Sequence, residues 1–290
     1  MVELPWKDLQ SEIENCEVII WFDKNDTLYP MSEWLHLGLI PVGNGHEEGL
    51  IYDLPNLEWM IRHLAWLGFR NLTIYSANPL KGLNVALRKV DSRINLTFYE
   101  DFWFTGLPKD KIPVKSDLII ISGSHITNAD FRNALLLHRQ RKNEASILAL
   151  RGLRYTVGLV NVKNDEFNSV QVFREKPLDT SILINSGAII LSSELISHSN
   201  FTANVERLLN EIKDEDLIKN FNGINQNISV SQSIKSQLLD VLISKEQLSA
   251  IELTGVSGEP WFIDLSSIET WVKMDFNDFI ERFNHLYKLN

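Results

Sequence analysis

One cysteine, a shortage of basic residues and the lack of any long apolar run set the first limits on this chain of 290 residues. Cys16 has no second thiol to bridge, which fits a reducing compartment. With 28 basic against 38 acidic residues, the net charge of −10 repels a phosphate backbone, so no nucleic acid partner is expected. No stretch of about 18 apolar residues occurs, so no membrane span is expected either. Met1 to Gln10 lacks the basic-then-apolar order of a signal peptide. Together these shortages predict a cytoplasmic protein. Core material is plentiful: 44% of residues are hydrophobic and 8 are tryptophan. That is enough for a substantial α/β core.

Strand-like and helical stretches alternate through the first half. Val18–Phe22, Leu72–Tyr75, Leu118–Ile121 and Ser146–Leu150 are short buried-type apolar runs. Leu57–Leu67 has apolar residues at helical spacing and is stopped by Gly68, and a second helix is predicted from Phe131 to about Lys142. This rhythm implies a mainly parallel sheet covered by helices on both faces. In the second half, Val157–Val162 and Ser169–Phe173 flank the turn-rich NDEFN, a hairpin signature. Ile182–Leu191 follows as an apolar run interrupted at Asn185-Ser186-Gly187. Helices are predicted at Asn204–Lys213 and Ile234–Ile243, with an exposed loop at Asn222–Ser233 between them. A last strand, Trp261–Asp264, leads into a terminal helix from Ile268 to about Tyr287. No linker divides the chain, so one domain with a mixed sheet over 1–290 is expected.

The loop after the first strand also lacks something: VIIWFDKNDTLYP, Val18 to Pro30, contains no glycine. It resembles the D-x-D-x-T motif of haloacid dehalogenase-type phosphatases, in which Asp23 would be the nucleophile and Thr27 would help hold phosphate. The general acid of that pattern falls at Asn25, and an amide cannot donate and recover a proton near neutral pH. Asp and Asn are also common in turns after strands.

A longer resemblance runs through the chain. Pro30-Met31-Ser32 and Leu39-Ile40-Pro41-Val42-Gly43 stand where the sugar-1-phosphate nucleotidyltransferases carry P-L-T and L-x-P-V-G. LEWMIRHLAWLGFRNLTI resembles their first crossover helix and second strand, and SDLIIISGSHITNADF their strand ending in G-D-x-x-x-x-x-D-F. YTVGLVNVKNDEFNSVQVFREKP, Tyr155 to Pro177, is similar to Y-G-x-V, a hairpin and F-x-E-K-P. INSGAIIL resembles N-x-G-x-Y-x-L, and WFIDLSSIETW, Trp261 to Trp271, resembles W-x-D-I-G-T-P-E-x-Y. These pieces keep the family's order over about 250 residues. The resemblance implies a Rossmann-like α/β nucleotidyltransferase domain with a mixed, mainly parallel sheet flanked by helices. Its nucleotide-binding half would span about 17–150 and its sugar-phosphate half about 151–290. The terminal left-handed β-helix of some members has no room here.

Laid on that pattern, the departures fall on one chemistry. Asp23 and Asn25 occupy the positions of two loop glycines whose backbone must approach the nucleotide closely. Thr27 replaces the arginine that neutralises the triphosphate, Leu37 replaces a lysine, and Ser124 replaces an aspartate that binds Mg²⁺. Nucleotidyl transfer depends on cations and metal around the α-phosphate, so the nucleotide half reads as inactive. No cofactor is expected, and Mg²⁺ only if the protein is active. The sugar-phosphate half is better kept. The resemblance implies that Glu175 bonds a sugar hydroxyl, Lys176 pairs with the phosphate, Gly158 offers backbone, and Asn185 stands at N-x-G. Asp264 matches the second metal carboxylate, although Ser266 stands where a glycine follows it.

Plainer roles exist for each: an exposed Glu175–Lys176 pair, a strand bulge at Asn185-Ser186-Gly187, and a helix N-terminal role for Asp264. His125, His138 and His198 share no metal-ligand spacing and read as surface or satisfied residues. Three functions remain open: an inactive homologue acting as a regulatory or scaffolding subunit, an active nucleotidyltransferase with an atypical loop, and the phosphatase using Asp23. The first is favoured. The resemblance implies an active paralogue or a second copy as partner, and a sugar phosphate or nucleotide sugar as ligand. Trp21, Trp34, Trp59, Trp66 and Trp103 suggest an aromatic surface for a dimer or hetero-oligomer; Trp59 and Trp66 lie seven residues apart on one helix face, which for at least one of them reads more readily as core.

Overall fold

The computed structural model describes residues 6–22, 41–42, 54–76, 93–99, 116–154, 159–162, 170–174, 178–197, 242–243, 246–256, 258–265, 281–283 and 286. Its centre is β1, Glu17–Phe22 (EVIIWF), in which only Trp21 is not buried. A run apolar on successive residues suits a strand covered on both faces. Alternate side chains then go to opposite sides: Val18, Ile20 and Phe22 join the larger apolar cluster, and Ile19 joins the smaller. β1 pairs in parallel with β4, Asn71–Ser76, and with β6, Leu118–Ser122, so that Ile20 lies between Ile74 and Ile121.

Four more strands complete the sheet: β5, Asn95–Tyr99; β8, Ala145–Arg154; β11, Leu178–Leu191; and β12, Leu248–Glu252, while the two-residue strands β2, Pro41–Val42, and β3, Leu54–Pro55, pair antiparallel with each other outside it. The order across seven strands is β12-β8-β11-β6-β1-β4-β5. β11 lies antiparallel to both β6 and β8, while the other pairings are parallel. The sheet is therefore mixed and mainly parallel, as expected. Its two outer strands were not legible beforehand. NLTFY and LSAIE mix polar with apolar residues because an edge strand is less completely covered, and their burial alternates accordingly.

Three helices supply the larger cluster: α1, Trp6–Asn15; α2, Asn56–Leu67; and α3, Phe131–Arg141. α2 ends where Gly68 takes φ 102°, with the Gly68 and Phe69 amides donating to Ala65 O and Leu64 O. α3 starts at Asp130, whose carboxylate accepts from the Arg132 and Asn133 amides. Burial alone would raise that carboxyl's pKa, but the hydrogen bonds and charge of Arg132 outweigh it and hold the group low. The short α4, Ser193–Ser197, places Leu195 in the smaller cluster on the other face. The expected hairpin forms from β9, Leu159–Val162, and β10, Val170–Arg174, paired antiparallel. No helix among the described residues is long and apolar enough to cross a membrane.

For Trp59 the core alternative holds. Trp59 is 1% exposed and packs on Phe283 at 5.7 Å between ring centroids. Its neighbours Met60, Ile61 and Leu64 are buried too, because the apolar face of α2 is pressed onto the sheet. Trp66 is half-buried beneath the Arg132 guanidinium, and Trp21 packs on the smaller cluster. Trp34, Trp103, the stretch 204–233 and most of the expected terminal helix lie outside the described residues.

Glu17, at the start of β1, is 7% exposed and accepts a hydrogen bond from Thr73 Oγ1 at 2.5 Å. Burial pushes its carboxyl above the ordinary value, and the Thr73 hydrogen bond offsets this only in part. A raised folded pKa means that the folded state holds the proton longer, so stability falls as pH rises from the ordinary carboxylate value through the raised one. Glu17→Gln removes that penalty. Its melting temperature relative to the parent should be higher at about pH 8 than at about pH 4. A larger relative loss at the higher pH, measured by thermal denaturation, would show instead that the buried carboxylate is favourable.

Candidate ligand site at the carboxyl ends of the strands

In open α/β sheets, ligands bind beyond the carboxyl ends of the parallel strands. Here β6 ends at Ser122 and the chain turns through Gly123, whose amide donates to Trp21 O at 2.7 Å. A Cβ on Gly123 would stand 2.5 Å from the Phe22 ring, so the turn can pass over that ring only without a side chain. Ser122 Oγ and Ser124 Oγ then bond each other at 2.9 Å. The next residues form β7, His125–Thr127, antiparallel to β13, Phe262–Asp264, with Asp264 opposite His125. The Leu265 amide donates to Ser124 O at 2.7 Å. The strand ending in Asp264 is thus laid against positions 124 and 125.

Polar residues hold it there. Thr127 Oγ1 donates to Trp261 O at 2.7 Å, and the fully buried Asn128 accepts from the Trp261 amide through Oδ1 at 2.7 Å. Asn128 O also accepts from the Val256 amide at 2.9 Å, and the Asp130 amide donates to Thr254 O at 2.7 Å. A buried amide stripped of such partners would cost about 1–3 kcal/mol, so this lacing fixes the approach to β13. Thr127 and Asn128 went unnoticed in the sequence. The available signal was a polar TN pair set between Ile126 and Ala129.

His125 joins a third element. Its Nδ1 donates to Ser186 O at 3.0 Å, and its ring stands edge-on to Phe262 at 4.5 Å. β11 slips register between Asn185 and Ala188, Gly187 has φ 74°, and its amide donates to Asn185 Oδ1 at 2.9 Å. A Cβ at 187 would lie 2.3 Å from His125 Nδ1 and Cε1. Only glycine admits the ring. His125 Nε2 is 3.6 Å from Asp264 Oδ1, with the His125 side chain 14% and the Asp264 side chain 46% exposed. His125 is therefore satisfied at Nδ1, as expected, but it also stands at the centre of the site.

Of the residues predicted for the site, Asp264 and Asn185 are described. Asp264 closes β13 beside His125, and Asn185 is an exposed bulge residue whose oxygen caps Gly187. Gly158, Glu175 and Lys176 lie outside the described residues, although Leu159 and Arg174, next to the first two, are register partners. Asp23, Asn25, Thr27 and Leu37 lie outside as well, and with them the phosphatase nucleophile and the loop. His138 is buried and bonds Ser146 Oγ at 2.8 Å, while His198 is outside the described residues.

The paired-carboxylate Mg²⁺ site implied by the resemblance does not fit these residues. Position 124 offers a hydroxyl already bonded to Ser122, and the remaining carboxylate faces an imidazole nitrogen. Mg²⁺ takes oxygen ligands in an octahedron, whereas imidazole suits later transition metals. Among the described residues no three His, Cys, Asp or Glu side chains gather to hold a metal.

No protein-family model matches the sequence, and neither does any curated protein. Solved structures do. A protein from Bacillus anthracis provisionally named a glucose-1-phosphate thymidylyltransferase, solved with a bound sucrose, superposes with a TM-score of 0.56 at 17% identity. The match covers 93% of this chain and 99% of that one. HddC from Yersinia pseudotuberculosis gives a TM-score of 0.50 at 15% identity, over 91% of this chain and 99% of that one. At such identities the likeness establishes the fold alone. It is the α/β fold of nucleotidyltransferase structures, over most of the chain.

The contact between His125 and Gly187 can be tested directly. Gly187→Ala puts a Cβ into the imidazole at a backbone angle that favours glycine, and should destabilise the protein by about 1–3 kcal/mol in urea titration. Gly123→Ala should cost a similar amount through Phe22. An unchanged midpoint for Gly187→Ala would mean that His125 does not rest on residue 187.

Proposed function

We propose that this chain is a nucleotidyltransferase-fold protein that has lost nucleotidyl transfer and serves as a regulatory or scaffolding subunit. In this reading it holds a sugar phosphate or nucleotide sugar without turning it over. The observation that carries it is the end of β6: a serine hydroxyl tied to its neighbour where a metal carboxylate is implied, and Asp264 turned onto His125. The sequence departures at Asp23, Asn25, Thr27 and Leu37 support the same loss. Removing an arginine, a lysine and a carboxylate while adding an aspartate strips the α-phosphate of its compensating charge.

The ligand half makes smaller demands. Hydrogen bonds from Glu175, Gly158 and Asn185 to hydroxyls, with Lys176 for a phosphate, need neither the lost loop nor Mg²⁺. Such a pocket suits dissociation constants in the millimolar to micromolar range, worth roughly 4–8 kcal/mol. The partner in this reading is an active paralogue or a second copy of the chain.

Two measurements test it. The purified protein given Mg²⁺, nucleoside triphosphates and sugar-1-phosphates should release no pyrophosphate above background. A turnover of about 1–10³ s⁻¹ would sink the inactive reading. Sugar-1-phosphates or nucleotide sugars should raise the melting temperature in a concentration-dependent way, and Lys176→Ala should abolish that rise while leaving the unliganded transition unchanged. If a panel gives no shift at several millimolar, the pocket is vestigial and the protein works through its surface.

A further inference from the structure

The amino end of the sheet, opposite the mouth, holds a cavity of about 660 Å³. It lies between the C-terminal ends of α1 and α3, the entrance to β6 and the start of α4. A water occupies only about 30 Å³, so the space has the size of an organic ligand. Charge in its wall does not balance. Glu12 and Asp117 share the single Arg139 guanidinium, Asp117 at 2.7 Å. The other Asp117 oxygen accepts from the Ser193 amide, a neutral donor. Among the described residues no further cation pairs with either carboxylate, so the cluster keeps one negative charge in excess. The Asp117 side chain is only 8% exposed, which leaves that excess weakly screened. α1 and α3 add the partial negative charge of their carbonyl ends. Burial holds His138 below the ordinary imidazole value, so it contributes no charge at neutral pH. Lys142, the other cation on the lining, stands exposed on the rim and pairs with neither carboxylate.

Ser116 adds an unmet demand of its own. It lines the cavity, is 8% exposed, and its Oγ has no hydrogen-bond partner in the protein. A hydroxyl left unpaired in the interior is unfavourable, and its lone pairs suit an N–H donor. We infer that this cavity binds a small organic amine, whose ammonium group answers the excess charge of the Glu12–Arg139–Asp117 cluster and donates to Ser116 Oγ. A phosphate would be repelled by the same carboxylates and helix ends. A bare metal ion finds no three ligating side chains gathered for it among the described residues. The site lies at the other end of the sheet from Asp264, and it stands independently of sugar-phosphate binding.

The full chain is titrated with putrescine at about 0.15 M salt, where long-range attraction to an acidic protein is screened, and followed by calorimetry and thermal denaturation. 1,4-Butanediol serves as the neutral counterpart and inorganic phosphate as the anion. Putrescine should raise the melting temperature with concentration, and the other two should not. Ser116→Ala should leave the unliganded transition in place and weaken putrescine about tenfold. Lys142→Asn tests the sign of the charge. It removes the rim cation at a position of φ 57°, a left-handed conformation that asparagine accepts, so the fold is kept. Putrescine should bind this variant at least about twofold more tightly. A shift unaltered in Ser116→Ala comes from the acidic surface at large and overturns the site. No shift in the parent at several millimolar overturns it as well. Weaker binding to Lys142→Asn, or an equal shift with phosphate or butanediol, overturns the assignment to an amine.

Discussion

An imidazole resting where a Cβ would otherwise stand fixes the upper end of this molecule. His125 occupies the space above Gly187, and three segments far apart in sequence converge because of it: the exit from β6, the bulge in β11 and the last residue of β13. The arrangement depends on β11 running against its neighbours. An antiparallel strand inserted between β6 and β8 brings its middle, not its end, to the mouth of the sheet, and there a bulge can turn a backbone carbonyl toward the ring. Ser186 completes the anchor from the other side, its hydroxyl donating to Leu148 O at 2.8 Å.

The opposite end of the sheet is organised by charge. Arg139 bonds both Asp117, at 2.7 Å, and Glu12, tying α3 to the strand entrance and to α1. Asp117 uses its second oxygen to accept from the Ser193 amide at the start of α4. Beside this cluster the lone thiol, Cys16, donates to Asp117 O at 3.1 Å. Burial foremost, and then the Asp117 charge, push its pKa well up, so it is an inert packing residue rather than a reactive one. The charges at this end are consumed in holding elements together. At the mouth, by contrast, the Asp264 carboxylate beside His125 is partly open to solvent, and such surface positions are where binding can take place.

The likeness to nucleotidyltransferase structures and the residues at the mouth speak to different levels. A TM-score of 0.56 at 17% identity reflects the same path of chain, set by apolar runs that tolerate substitution. Function resides in a handful of side chains placed on that path. At the described positions those side chains are the Ser122 and Ser124 hydroxyls, the His125 imidazole and the Asp264 carboxylate.

The amino-acid sequence by itself determined the local pieces. Continuous apolar runs gave β1, β4, β6 and β8, helical spacing with Gly68 gave α2, and turn residues gave the β9–β10 hairpin, because each signal is complete within a dozen residues. The motif order also implied the mixed sheet, and it marked Asp264 and Asn185 as residues of interest. The tertiary structure decided the rest. Whether Trp59 faced solvent depended on which side of α2 met the sheet. β5 and β12 exist as strands because a neighbour supplies their hydrogen bonds, not because their sequences demand it. Above all, a histidine without recognisable spacing became the centre of the site, since its partners Ser186 and Asp264 meet it only after the sheet has closed. Periodicity reports how a residue relates to its neighbours along the chain. The groups that face one another across the mouth are set by strand order and register, which no local pattern encodes.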